Sequence, residues 1–116
     1  MTILDYETNI YNNLVKAGFS VVDTNPDTFT SPVVIIGGDT EAWHPTKPNE
    51  YALTDHQLYI DYYMQLSKGR IQFEKDIMAI RNAIGEPNVI VKRLVDRTFQ
   101  NPLLHASLTV NVTLGG

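Results

Sequence analysis

The chain has no cysteine, few basic residues and no long apolar run. Without cysteine it can form no disulfide, no thiolate nucleophile and no cysteine-bound zinc, and a cytosolic setting is the simplest expectation. The longest purely apolar stretch, Val33-Val-Ile-Ile36, is far too short to cross a bilayer, so no membrane contact is expected. Nine lysines and arginines stand against 13 acids, for a net charge of −4. The tightest basic pair, Lys92-Arg93, neutralises too few phosphates to hold a nucleic acid, and specific nucleic-acid binding is not expected. The opening residues, Met1-Thr-Ile-Leu-Asp-Tyr-Glu7, lack the basic and apolar regions of a signal peptide. The Asn111-Val-Thr113 sequon therefore has no secretory context.

What is present suits one folded unit. A chain of 116 residues with 43% hydrophobic residues is long enough and apolar enough to bury a core unaided. There is no repeat, low-complexity tract or internal linker, so residues 1–116 read as a single α+β domain. Ile3, Tyr6, Ile10, Leu14 and Ala17 recur at steps of three and four, predicting a helix over Thr2–Ala17, with Tyr11 and Val15 widening its apolar stripe. Thr2 and Asp5 are spaced as a capping box, and Gly18 follows as a stop. Phe19–Val22 is a short β-rich run closed by turn formers. Val33–Ile36, four β-branched residues in a row, predicts a strand covered on both faces. Gly37-Gly38 then turns the chain.

From about residue 38 to 53 no period is visible. Gly38, Pro45 and Pro48 break the stretch, which also carries Asp39, Glu41, His44 and the single tryptophan, Trp43. It reads as a long loop, a feature usually reserved for contacts or motion. Leu58, Ile60, Tyr62, Met64 and Leu66 alternate with Gln57, Tyr59, Asp61, Tyr63 and Gln65, predicting a half-buried antiparallel strand. Phe73, Ile77, Ile80 and Ile84 stripe a second helix over Arg70–Ile84, flanked by Ile71 and Met78 and stopped by Gly85. Val89–Phe99 and Leu104–Leu114 read as a closing hairpin around Asn101-Pro102. The order is α-β-β-β-α-β-β, which predicts a mostly antiparallel sheet with both helices on one face.

Chemistry is harder to find. His44, His56 and His105 lie far apart, with no second histidine at helical spacing. His44 beside Asp39 and Glu41 is read as a solvated loop triplet rather than a metal site. Asp55-His56 has no serine in a nucleophile-elbow setting, and reads as a polar strand entry. Gly37-Gly38 lacks the third glycine, the lysine and the following helix of a phosphate loop. The carboxylates form no inward pair. No enzyme activity, metal or cofactor is expected. The surface that stands out is aromatic: Tyr59 and Tyr63 share the nominally wet face of the long strand, and with Trp43 they are the candidate interface residues.

Several local runs, in this order, bring a family into view. Leu14-Val-Lys-Ala-Gly-Phe19 ends the first helix, Pro32-Val-Val-Ile-Ile36 forms the buried strand, and the long alternating strand follows the loop. Phe73-Glu-Lys-Asp-Ile-Met-Ala-Ile-Arg81 makes the second helix and Leu104-His-Ala-Ser-Leu-Thr-Val-Asn-Val112 the last strand. The whole resembles the small tail-terminator, or tail-to-head joining, proteins of long-tailed bacteriophages. The resemblance implies a hexameric ring that ends the tail tube and joins the filled head, with tail-tube and head-completion proteins as partners. It implies a place in the virion tail or neck after synthesis in the host cytoplasm, no catalysis and no cofactor. Two other readings stay open. One is a small ligand- or metal-binding domain or enzyme using residues 38–56 as a lid, with Asp39, Glu41, His44 and His56 converging. The other is an adaptor that binds a host protein by strand addition.

Overall fold

The computed structural model describes residues 2–23, 30–43 and 53–115. Helix α1 (Ile3–Lys16) is started by the capping box the sequence promises. The Thr2 hydroxyl accepts from the Asp5 amide at 3.1 Å, and the Asp5 carboxylate accepts from the Thr2 amide at 3.2 Å. Two donors that a helix start leaves without partners are thereby satisfied. Gly18 ends the helix at φ 95°, a left-handed conformation that favours glycine. Strand β1 (Val21–Val22) pairs in parallel with β2 (Val33–Trp43), and β3 (Leu53–Gln65) runs antiparallel to β2. A single 3₁₀ turn, Leu66–Lys68, leads into α2 (Arg70–Ile84), which Gly85 stops in the left-handed region. Strands β4 (Val89–Asp96) and β5 (Leu103–Gly115) close the chain as an antiparallel hairpin. The sheet order is β1-β2-β3-β5-β4. The fold is α+β, with a mostly antiparallel sheet, as the periodicities predict.

Both helices lie on one face of that sheet. Tyr6, Ile10 and Leu14 of α1 and Phe73, Ile77, Ile80 and Ile84 of α2 share one apolar cluster with Leu58, Ile60, Tyr62 and Met64 of β3. The same cluster takes Leu104, Ala106, Leu108 and Val110 of β5 and Val34 and Ile36 of β2. Leu66, expected in the same set, is partly buried at its margin, as is Val112 of β5. The helical stripes are narrower than the sequence suggests. Tyr11, Val15, Ile71 and Met78 are exposed, because a helix resting on a sheet buries one line of side chains and these four stand to its side. Val33 and Ile35, on the opposite side of β2, are buried as well, in keeping with the four-residue β-branched run. Among the described residues no helix is long and apolar enough to cross a membrane.

Polar fastenings join the layers. The Tyr62 hydroxyl donates to the Asp76 carboxylate of α2 at 2.5 Å, and the Tyr62 ring stacks on Phe73. Asn13 of α1 donates to the carbonyl of Ala83 at the end of α2, 3.2 Å away. Arg93 of β4 grips Glu74 of α2 through two bonds of 2.6 and 3.0 Å. Asp96 ends β4 by accepting from both the amide and the hydroxyl of Thr98, and these bonds hold its carboxyl below the usual range.

The expected loop at about 38–53 needs correction. Gly38–Trp43 are the second half of β2, and β3 begins at Leu53 rather than Gln57. Gly37-Gly38 does not turn the chain. The register slips there, from Ile36 opposite Ile60 to Asp39 opposite Leu58, with Gly38 at φ 136°. This is a bulge, which bends a strand and lets it continue. Residues 44–52, with His44, Pro45 and Pro48, lie outside the described residues.

Two measurements test this packing. Ile60 has no exposed surface, so Ile60→Ala is expected to cost about 2–5 kcal/mol in a denaturant titration, while Gln57→Ala on the other face costs under about 0.5 kcal/mol. The second is alkaline stability. Burial, then the Asp76 carboxylate, pushes the Tyr62 phenol well above its ordinary value, and burial with Glu86 does the same for Tyr6. An unfolded chain releases these protons near pH 10 whereas the folded chain keeps them. Stability from these groups is therefore complete below about pH 10 and falls above it. Tyr62→Phe should make that fall shallower while lowering stability at neutral pH by about 1 kcal/mol.

Candidate functional site

The even-numbered residues of β3 line the core, and His56 belongs to that set. Its side chain is 2% exposed, although an imidazole among aliphatic neighbours would normally be costly to bury. The bulge resolves the conflict by setting the acids of β2 beside it. His56 Nδ1 lies 3.2 Å from Asp39 Oδ2, and Nε2 lies 2.8 Å from Thr54 Oγ1 and 3.4 Å from Glu41 Oε1. Both ring nitrogens are thus matched. Glu7 of α1 faces the same corner. Its proton affinity is raised by burial first and by the Asp39 carboxylate second, with Asp23 adding and His56 opposing.

Three of the four residues that a converging site would need are therefore together: Asp39, Glu41 and His56. His44 lies outside the described residues. Asp39 and Glu41, read as solvated loop residues, belong to β2, and His56, read as a polar strand entry, is buried within β3. A hydroxyl, an imidazole and a carboxylate in line, as in Thr54–His56–Asp39, form the kind of relay that activates nucleophiles. Here Glu41 shares the nitrogen that faces Thr54, and the ring is closed off, so the first effect of the cluster is to lock β2 to β3. Among the described residues no group of three or more histidines, cysteines or carboxylates is placed to hold a metal ion.

The opposite face, free of helix among the described residues, has a different character. Tyr59 and Tyr63, two of the candidate interface residues, lie on it half-buried, about 13 Å apart along β3. Tyr63 stacks on His105 with ring centres 4.2 Å apart and meets Phe99 edge-on at 6.2 Å. Burial, then Asp61 and Asp96, raises the Tyr63 phenol above its usual range. His105 Nε2 in turn lies 2.8 Å from Asp61 Oδ1. Cross-strand register adds β4 to this face, with Ile90 opposite Thr109 and Leu94 opposite His105. Ile90 and Leu94 are 55% and 48% exposed. Trp43, the third candidate, is the last residue of β2, paired in register with Thr54.

Toward the far end of that face the surface turns polar. A concavity of about 570 Å³ is lined by Thr40, Asp55, Gln57, Asn88, Asn111 and Thr113, among others. Its groups are occupied with one another: Thr113 donates to Asp55 at 2.6 Å and the Tyr59 hydroxyl to Gln57 at 3.0 Å. It offers hydrogen bonds to a polar chain rather than a poised reactive group.

No protein-family model matches the chain, and no curated protein matches it. The site therefore rests on its own geometry. Sequence reasoning missed the burial of His56, although its even-numbered position continues the Leu58–Met64 set. It also missed Ile90 and Leu94, whose alternation with Val89, Val91, Arg93 and Val95 was legible once β4 was placed at an edge.

The His56 corner can be tested by subtraction. Asp39→Ala should cost about 1–3 kcal/mol, because it strips a partner from a buried ring nitrogen. Glu41 is 59% exposed, so Glu41→Ala should cost under about 1 kcal/mol. Thermal melts of the two variants beside the parent chain decide between a buried lock and a solvated cluster.

Proposed function

We propose that the chain is a structural subunit of a bacteriophage tail or neck, which assembles into a ring that ends the tail tube and joins the head. The observation that carries this reading is the helix-free sheet face. Tyr59, Tyr63, Phe99, Ile90 and Leu94 lie on or beside it, and the last two are about half open to water. Large aromatic and aliphatic groups gathered on one side of a sheet are the material of protein–protein contacts. The resemblance over Leu14–Phe19, Pro32–Ile36, Phe73–Arg81 and Leu104–Val112 supplies the phage setting and the six-fold ring. In that setting the partners are other copies, the tail tube and head-completion proteins. The net charge of −4 suits a ring through which DNA slides, since like charges repel and the duplex would not stick.

A second reading, a small ligand- or metal-binding domain or enzyme, draws on the meeting of Asp39, Glu41 and His56, although the described residues there are not placed to hold a metal ion by themselves. A lid formed by residues 38–56 is not part of it, because Asp39–Trp43 and Thr54–His56 are paired strand residues. Stoichiometric metal in the purified protein, with a melting temperature that falls on chelation, would put this reading first.

The assembly reading is tested by mass in solution. The subunit is 13.1 kDa, and light scattering should return a several-fold multiple, with rings visible by electron microscopy. Ile90→Ser and Leu94→Ser should each weaken the assembly while moving the subunit's own stability by no more than about 0.5 kcal/mol, since both residues are about half exposed. A 13.1 kDa species at every accessible concentration would sink the reading.

A further inference from the structure

Among the described residues the sheet ends in two stretches of main chain with no further strand beside them. On one side β4 is the last strand. On the other, β1 covers β2 only at Val34 and Ile35, so that Asp39–Trp43 has no outer strand neighbour among the described residues. An edge of this kind is a template for another strand. In β4 the outward groups can be assigned. The Asn111 amide donates to the Asn88 carbonyl at 3.0 Å, which makes that pair a hydrogen-bonded one. Alternation along the ladder then turns the amides of Val89, Val91, Arg93 and Val95 away from β5.

The two edges carry opposite charge. β4 bears Lys92 and Arg93, and the outer half of β2 bears Asp39 and Glu41. Register places Arg93 on the helix side of the sheet, opposite Ala106, and places Glu41 on the same side, opposite His56. Ile90 and Leu94 share the other side with Thr40 and Ala42. Two copies of β4 paired about a two-fold axis would set Lys92 and Arg93 against their own kind, and like charges directly across a ladder repel. The acidic edge of β2 removes that conflict.

Building on the ring reading, we infer that each copy pairs its β4 edge with the Asp39–Trp43 edge of β2 in the next copy. Because β2 and β4 run in opposite directions within one sheet, copies that keep the same sense around a ring meet antiparallel. Arg93 then approaches Asp39 and Glu41 of the neighbour on the helix side. Ile90 and Leu94 are covered on the other. The contact is heterologous, with two different patches per subunit, the kind that closes into a ring.

Light scattering across a concentration series, with melts to check each fold, tests the inference. Val91→Pro removes an outward amide while leaving the bonds to β5, and should prevent assembly. Glu41→Lys and Arg93→Glu should each raise the concentration needed for assembly by about tenfold or more, equivalent to about 1.4 kcal/mol. The double variant should recover most of that loss, and Arg93→Gln reports the separate effect of losing the Glu74 pair. If the parent chain assembles and none of these changes alters its midpoint, the edge pairing is wrong and the ring is built by another surface. A parent chain that stays monomeric overturns both the pairing and the ring reading.

Discussion

Everything in this protein hangs on the pairing of β3 with β5. The two strands match residue for residue from Leu53 opposite Gly115 to Gln65 opposite Leu103, with no bulge between. A slip of one position would turn Leu58, Ile60, Tyr62 and Met64 outward and put Tyr59, Asp61 and Tyr63 against the helices. The buried set on β5, from Leu104 to Val110, is bound by the same requirement. Two apolar combs therefore hold one register, and the other elements are placed against it. β2 and β4 add on either side, and α1 and α2 cover the apolar face.

The bulge at Gly37-Gly38 lets one sheet hold two kinds of interior. Before it, β2 contributes Val34 and Ile36 to the dry core; after it, the strand offers Asp39 and Glu41 to His56. A buried imidazole is tolerable only where hydrogen-bond partners reach both nitrogens, and the shifted register provides them. The acids of β2 are thus partly structural. They also leave the outer half of that strand acidic, which bears on what can pair with it.

The two faces divide the labour of the molecule. The helix side is closed by aliphatic packing and by the Tyr62–Asp76, Arg93–Glu74 and Asn13–Ala83 fastenings. Among the described residues the other side has no helix, and its stacked Tyr63–His105 pair, Phe99, Ile90 and Leu94 form a surface suited to contact. Under the assembly reading proposed above, that surface would be covered by other copies, and the charge difference between the sheet edges would set the direction in which they join.

By itself the sequence determined the elements whose information is local. The stripes of α1 and α2, the capping box at Thr2 and Asp5, the stop at Gly85 and the alternation in β3 and β5 each follow from neighbours within a few residues, and each is present in the fold. The tertiary structure alone decided that Gly38–Trp43 is strand. Its ladder bonds come from Thr54–Leu58 across the sheet, and main-chain donors are the same for every residue type, so an acidic segment leaves no periodic trace. Tertiary packing also decided that His56 is interior, since its partners Asp39 and Glu41 reach it only through the bulge. The same holds for the exposure of Ile90 and Leu94, because a β-branched run reads alike in the middle of a sheet and at its edge, and only the position of β4 beyond β5 leaves one face of that run in water.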